Sequence, residues 1–359
     1  YNLPQSAAIC YDEATDLEIV LEGDNTVTGP DASSGGDSSS YGIHVDDEVT
    51  LTISGSGSLT ATGGDAPAVY GGVSYGIYTW GNVIITGGDV TATGRAAEFQ
   101  SHGIYATGHA TISGGAVKAT GGAVTSSEED GGDASSGICA DIVTISGGTV
   151  IAQGGAVTSS GNNTTSCGIY GSSLYGGVII SGGAVTATGT TANAESYGIY
   201  TPNSDIEISG GTVTATGDTG ALGRAIYLDP EGNASIQSIQ VKTGQDANSA
   251  TEIIGSPFVL SRGITDLVSG DKYFHSESQT LEGDIFVGGV GPTGAADAPA
   301  YAKTGTNGAV TTEGANANDY NIKWDGATLT LKGAEITTIA ETPDYNLPQS
   351  AAICYDEAT

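Results

Sequence analysis

The stretch GVIISGGAVTATG, Gly177 to Gly189, decides the fold. Val178 and Ile180 alternate with Ile179, then Val185 and Ala187 alternate with Thr186 and Thr188, and a Gly-Gly pair breaks the two runs. Short alternating runs split by paired glycines are two strands joined at a sharp corner. The same text recurs as IVTISGGTVIAQGG from Ile142 and as IEISGGTVTATG from Ile206. Upstream of each copy stands a short Ile-centred run: AAIC, YGIH, YGIY, HGIY, SGIC, CGIY, YGIY and RAIY. Its isoleucines are Ile9, Ile43, Ile77, Ile104, Ile138, Ile169, Ile199 and Ile226, spaced by 34, 34, 27, 34, 31, 30 and 27 residues.

Repeats of this length are stacked units, each unable to bury its apolar side alone. Three short strands per repeat, one variable connection and no helical periodicity give an all-β chain. The reading is a right-handed parallel β-helix of about eight to ten turns, with strands stacked roughly 4.7–4.9 Å apart. Alternation assigns the inward columns. One is Ile53, Ile85, Ile112, Ile145, Ile180 and Ile208, beside Leu51, Val83, Ala110, Val143, Val178 and Ile206. Another is Leu59, Val90, Val117, Val150, Val185 and Val213, with alanines two residues further on. The glycines after each strand supply φ > 0 or close backbone approach at the corners.

A second repeat is far longer. YNLPQSAAICYDEAT, Tyr1 to Thr15, returns unchanged as Tyr345 to Thr359, an offset of 345 − 1 = 344 residues. Such identity implies near-identical units following head to tail. The expected organisation is a β-helix over 1–230, a degenerate turn and β-rich connecting module over 231–317, and the start of the next unit over 318–359. TLTLKGAEIT, Thr328 to Thr337, resumes the strand pattern, so Leu331 and Ile336 are expected to fill the turn before Ile353, which should stack as Ile9 does.

Composition narrows the partners. The net charge is −32 with nine Lys and Arg, which excludes the basic footprint that nucleic acid needs. Anionic membranes are disfavoured on the same ground. No segment approaches the apolar length of a membrane span. Of the four cysteines, Cys10 and Cys354 are one position of the long repeat. Cys139 and Cys167 lie on adjacent turns but three strand positions apart, roughly 10 Å, beyond disulfide reach. Free thiols are expected, and no Cys-x-x-Cys suggests zinc.

Candidate sites are few. The residue after each triplet Ile points outward, giving the column Cys10, His44, Tyr78, Tyr105, Cys139, Tyr170, Tyr200, Tyr227. Tyr78, Tyr105, Tyr170, Tyr200 and Tyr227 form an aromatic ladder able to stack sugar rings; the plain alternative is that they stack on each other. Tyr41, Tyr75 and Tyr197, two before the Ile, read as corner packing. Outward Thr pairs such as Thr186 with Thr188 are too often interrupted, by Lys118, Ile151 and Gln153, to make a flat ice-ordering array. Glu128, Glu129, Asp130 and Asp133 crowd the longest connection and could hold calcium through oxygen ligands; the usual fate of such a run is a solvated loop. The four histidines are scattered, and no Ser/His/Asp set can be assembled by spacing. No cofactor and no catalysis are expected.

The motifs YGIYT, VIISGG and AVTATG resemble right-handed parallel β-helix proteins, the architecture shared by pectate lyases and adhesins. WDGATLTLKGAEI, DLEIVLEGDNTVTG and DKYFHSES resemble β-helix surface proteins of gut-type Gram-positive bacteria. The resemblance implies secretion or cell-surface display, and carries no catalytic residue: Arg95, Arg224 and Arg262 have no Asp ladder beside them. The expected function is a structural unit of an extracellular filament, stalk or adhesin, with copies of itself as partners. The alternative is a module that binds or cleaves glycans.

Overall fold

Each turn opens on a strand carrying the triplet Ile, and these strands form one parallel sheet of eight. They are Ala7–Tyr11, Ser39–Val45, Val73–Thr79, Gln100–Ala106, Ala134–Ala140, Thr165–Gly171, Glu195–Thr201 and Gly223–Leu228. Every triplet isoleucine pairs with the next, from Ile9 with Ile43 to Ile199 with Ile226. The computed structural model describes residues 6–253 except for 33–37, 67–70, 127–131, 133, 160–163, 173–176, 191–194, 203, 219–222, 229–233 and 237–239, and short runs between 258 and 356. It is all β among the described residues and divides into two units, Tyr1–Ser278 and Gln279–Thr359.

The second and third strands of each turn stack as the alternation requires. Leu51, Val83, Ala110, Val143, Val178 and Ile206 align in one column, and Leu59, Val90, Val117, Val150, Val185 and Val213 in another. These residues and the Ile53–Ile208 column are buried in one continuous core. Fully burying one such side chain stabilises the fold by roughly 1.5–3 kcal/mol. The second glycine of each corner pair takes a left-handed conformation, as at Gly183 with φ +82°.

Strict alternation fails once per turn, inside the first strand. Ser74 and Ile77 are both buried although three residues apart, and Gly76 absorbs the break. A Cβ on Gly76 would lie 2.4 Å from the Thr93 nitrogen and 2.7 Å from the Gly103 oxygen, so only glycine lets the first strand approach the third. The shift turns Tyr41, Tyr75 and Tyr197 toward the same side as the residues after the Ile. The expectation that they pack at corners is thus corrected: their rings join the ladder.

The buried serine before that break forms a column from Ser40 through Ser74, Ser101, Ser135, Ser166 and Ser196. Each hydroxyl serves a corner that has no ladder partner. The Ser101 hydroxyl donates to the Arg95 carbonyl at 2.7 Å and accepts from the Gly122 N–H at 2.8 Å. Ser74 does the same for Gly64 and Arg95, and Ser135 for Gly122 and Gly155. Backbone groups at the corner would otherwise be buried unpaired. The variable connections contribute a further small column, in which Ala66, Ala97, Val124 and Val157 stack, the last three as a separate buried cluster.

The stack ends in antiparallel pairing. Tyr273–Glu277 runs antiparallel along Thr212–Thr216, and Phe258–Leu260 along Ala234–Ile236. Gln240–Gly244 and Thr251–Ile253 extend this arrangement. Phe274, fully buried, belongs to the main core, and His275 Nδ1 lies 2.8 Å from the Thr214 hydroxyl. An antiparallel strand covers the open edge and gives the next parallel turn nothing to add to. Much of the segment expected as a connecting module therefore caps the sheet of second and third strands, while the eight-stranded sheet ends on Gly223–Leu228 among the described residues.

The second unit holds antiparallel strands only, among the described residues. Ala300–Thr304, Val310–Thr311, Ile322–Trp324 and Leu329–Leu331 form one sheet, and Asp284–Val287 pairs with Ile353–Asp356. This corrects the expected resumption of the solenoid. Leu331 lies opposite Ile322, and Ile353 lies opposite Val287, whereas Ile9 lies parallel to Ile43. The physical reason is local: the strands that these residues meet, Asp284–Val287 and Ile322–Trp324, run in the opposite direction, so the pairing follows the neighbours within this unit. Ile336 lies outside the described residues.

Candidate ring-lined groove

In-register stacking brings the expected ladder together: Cys10, His44, Tyr78, Tyr105, Cys139, Tyr170, Tyr200 and Tyr227 are successive partners across the first sheet. The shift at the glycine sets a second column beside it, with Tyr41, Tyr75, His102, Ser136, Cys167, Tyr197 and Arg224 in order. The ladder is consequently two side chains wide. His44, Tyr78 and Tyr105 stack nearly parallel, at 5.1 and 5.4 Å between centroids. Tyr75 and His102 stack beside them at 5.4 Å and 6°. Ring faces are thus covered by other rings; Tyr75 is buried and its hydroxyl donates to Gln100 Oε1 at 2.9 Å, while Tyr78 and Tyr105 stay partly exposed.

Burial sets the ionisation of this surface. It pushes His102 down from 6.5 to about 3, and Nδ1 accepts the Ser136 N–H at 3.0 Å, which leaves the proton on Nε2. It also lowers His44, against the opposing pull of Asp46 and Asp12. Cys139 is raised to about 12, chiefly by burial and then by Asp141, so its thiol stays protonated. Tyr75 and Tyr197 are raised as well, Tyr75 by burial and its neighbouring hydroxyls. Cys10, Cys139 and Cys167 are free thiols, which for Cys139 and Cys167 agrees with their expected offset.

The ladder has one break. At the turn Ala134–Ala140 both ring positions carry small side chains, Ser136 and Cys139. A groove of about 510 Å³ opens there, with Tyr105 on one side, Tyr170 and Tyr200 on the other, Cys139 in its floor and Asp141 and Glu195 among its lining. Tyr170 departs from the stacked geometry and meets Tyr200 at 69°. Sequence reasoning listed Cys139 as one rung among eight and overlooked the groove. The available signal was SSGIC, the one triplet between Tyr41 and Tyr227 with no aromatic residue in either position.

Glu128, Glu129, Asp130 and Asp133 lie outside the described residues. Among the described residues no three His, Cys, Asp or Glu side chains converge as a metal site. No helix among them is long and apolar enough to cross a membrane. The Thr columns are aligned as expected and interrupted at Lys118, Ile151 and Gln153.

A family model described as a beta helix repeat matches residues 51–77, 83–108, 111–138, 143–169 and 206–225. All five segments fall in the parallel stack. No curated protein and no solved structure matches it.

Proposed function

We propose that the chain is one unit of an extracellular filament or cell-surface stalk, in which 344-residue units follow head to tail within one polypeptide. The observation that carries this reading is the unchanged return of Tyr1–Thr15 at Tyr345–Thr359. Antiparallel capping by Tyr273–Glu277 supports covalent succession over non-covalent growth, because a capped sheet does not template another parallel strand. The net charge of −32 supports a soluble, mutually repelling rod surface. The role is architectural and non-catalytic, and the partner is the next copy.

Denaturing electrophoresis of the native parent, alongside sedimentation of the 359-residue chain, tests the reading. A parent several units long and a chain that stays monomeric are expected. A parent with a single copy and no self-association would overturn it.

A further inference from the structure

We propose that the groove at the break in the ring ladder binds a guanidinium group, carried by a small molecule or by an Arg side chain of a basic peptide. The inference is independent of the filament reading.

Geometry makes the first argument. The strands Gln100–Ala106 and Thr165–Gly171 both pair with Ala134–Ala140, so Tyr105 and Tyr170 sit two strand spacings apart, about 9.4–9.8 Å. Filled rungs elsewhere are separated by 5.4 Å, as between Tyr78 and Tyr105. The break is therefore one rung deep. A flat group stacked there on Tyr105, which continues the parallel stack, would lie about 5 Å from that ring, inside the ~6 Å range of cation–π attraction, with the tilted Tyr170 on its other side.

The ladder already contains such a rung. Arg224 occupies the ring column opposite Tyr197, and its Cζ sits 4.7 Å from the centroid of Tyr227. A guanidinium thus satisfies this surface as an aromatic ring does.

Charge selects the cation over a neutral ring of similar shape. Among the described residues, Asp141 and Glu195 are the charged side chains lining the groove, and no Lys or Arg does. Asp141 Oδ1 accepts the Ser172 hydroxyl at 2.9 Å, which fixes the carboxylate at the rim. His102 and Cys139 are kept neutral by burial and supply no competing charge. A planar fork of N–H donors matches a carboxylate better than a compact ammonium does.

Calorimetric titration of the 359-residue chain with arginine amide, against citrulline amide as the neutral isostere, tests the site. An Arg-containing peptide and its Gln counterpart distinguish the two sources. Arginine amide should bind at least about tenfold more tightly than citrulline amide, and added salt should weaken it. Cys139→Tyr fills the missing rung and should abolish binding while the β circular dichroism is retained. Glu195→Gln, which leaves the floor untouched, should weaken binding about tenfold. The proposal is overturned by equal affinity for citrulline amide, by unchanged binding in Glu195→Gln or in a folded Cys139→Tyr, by binding of a neutral disaccharide alone, or by no binding at all.

Discussion

Replacing Ser101 by Ala removes one oxygen atom and orphans two backbone groups. The hydroxyl of this fully buried residue links the Arg95 carbonyl, at 2.7 Å, to the Gly122 N–H of the following turn, at 2.8 Å. Neither corner residue lies in a sheet strand, so no ladder bond replaces the loss. Leaving a buried donor or acceptor unpaired destabilises by about 1–3 kcal/mol. Water reaches part of this corner, so the two together should lower stability by about 2–4 kcal/mol. Ser113→Ala, at an exposed corner serine, should change it by less than about 0.5 kcal/mol. Urea titration gives the global difference, and amide exchange gives the local one, because repeat solenoids open piecewise. The Gly122 amide should lose its protection in Ser101→Ala. If both variants melt alike and Gly122 exchange is unaltered, the serine column is passive filler.

Gly76→Ala should destabilise by roughly 1–3 kcal/mol or more, since its Cβ would press on the Thr93 and Gly103 backbone; urea midpoints measure it. Phe274→Ala should remove about 3–5 kcal/mol and release amide protection first along Thr212–Thr216, the strand that Tyr273–Glu277 covers. Stability should depend on pH on both sides of neutrality. Folding depresses His102 from 6.5 to about 3, so the unfolded chain alone takes that proton, and stability falls by about 1.4 kcal/mol per unit as pH drops through this window. His102→Gln should flatten that acid limb in a urea series across pH. Folding raises Cys139 from 9.0 to about 12, with Cys167 and Tyr75 raised likewise, so the stability present below pH 9 is lost as pH rises above it.

The stack was legible because its signal is local and repeated. Val178, Ile180, Val185 and Ala187 show period-2 alternation, and the spacing of Ile43, Ile77 and Ile104 gives the register directly. Two features escaped. Alternation counted from Ile77 places Tyr75 on the inner face, but the close approach of Gly76 to the third strand breaks the count and sends the Tyr75 ring to the ladder. The serine column was visible as Ser-x-Gly-Ile, yet its role depends on corner carbonyls that no sequence pattern displays. The groove escaped for a related reason: Cys139 looked like a rung, and only the width of the ladder makes Ser136 and Cys139 a vacancy. The segment Ile353–Asp356 marks the limit of sequence reading. It repeats residues of the first strand and pairs antiparallel, because identical residues take the pairing their neighbours offer.

Electron microscopy of the native parent, released from its source and negatively stained, tests the central claim most directly. The account predicts threads with a constant axial repeat that persist on dilution, one repeat for each 344-residue unit. Dispersed particles of single-unit size, with no thread at any concentration, would contradict it.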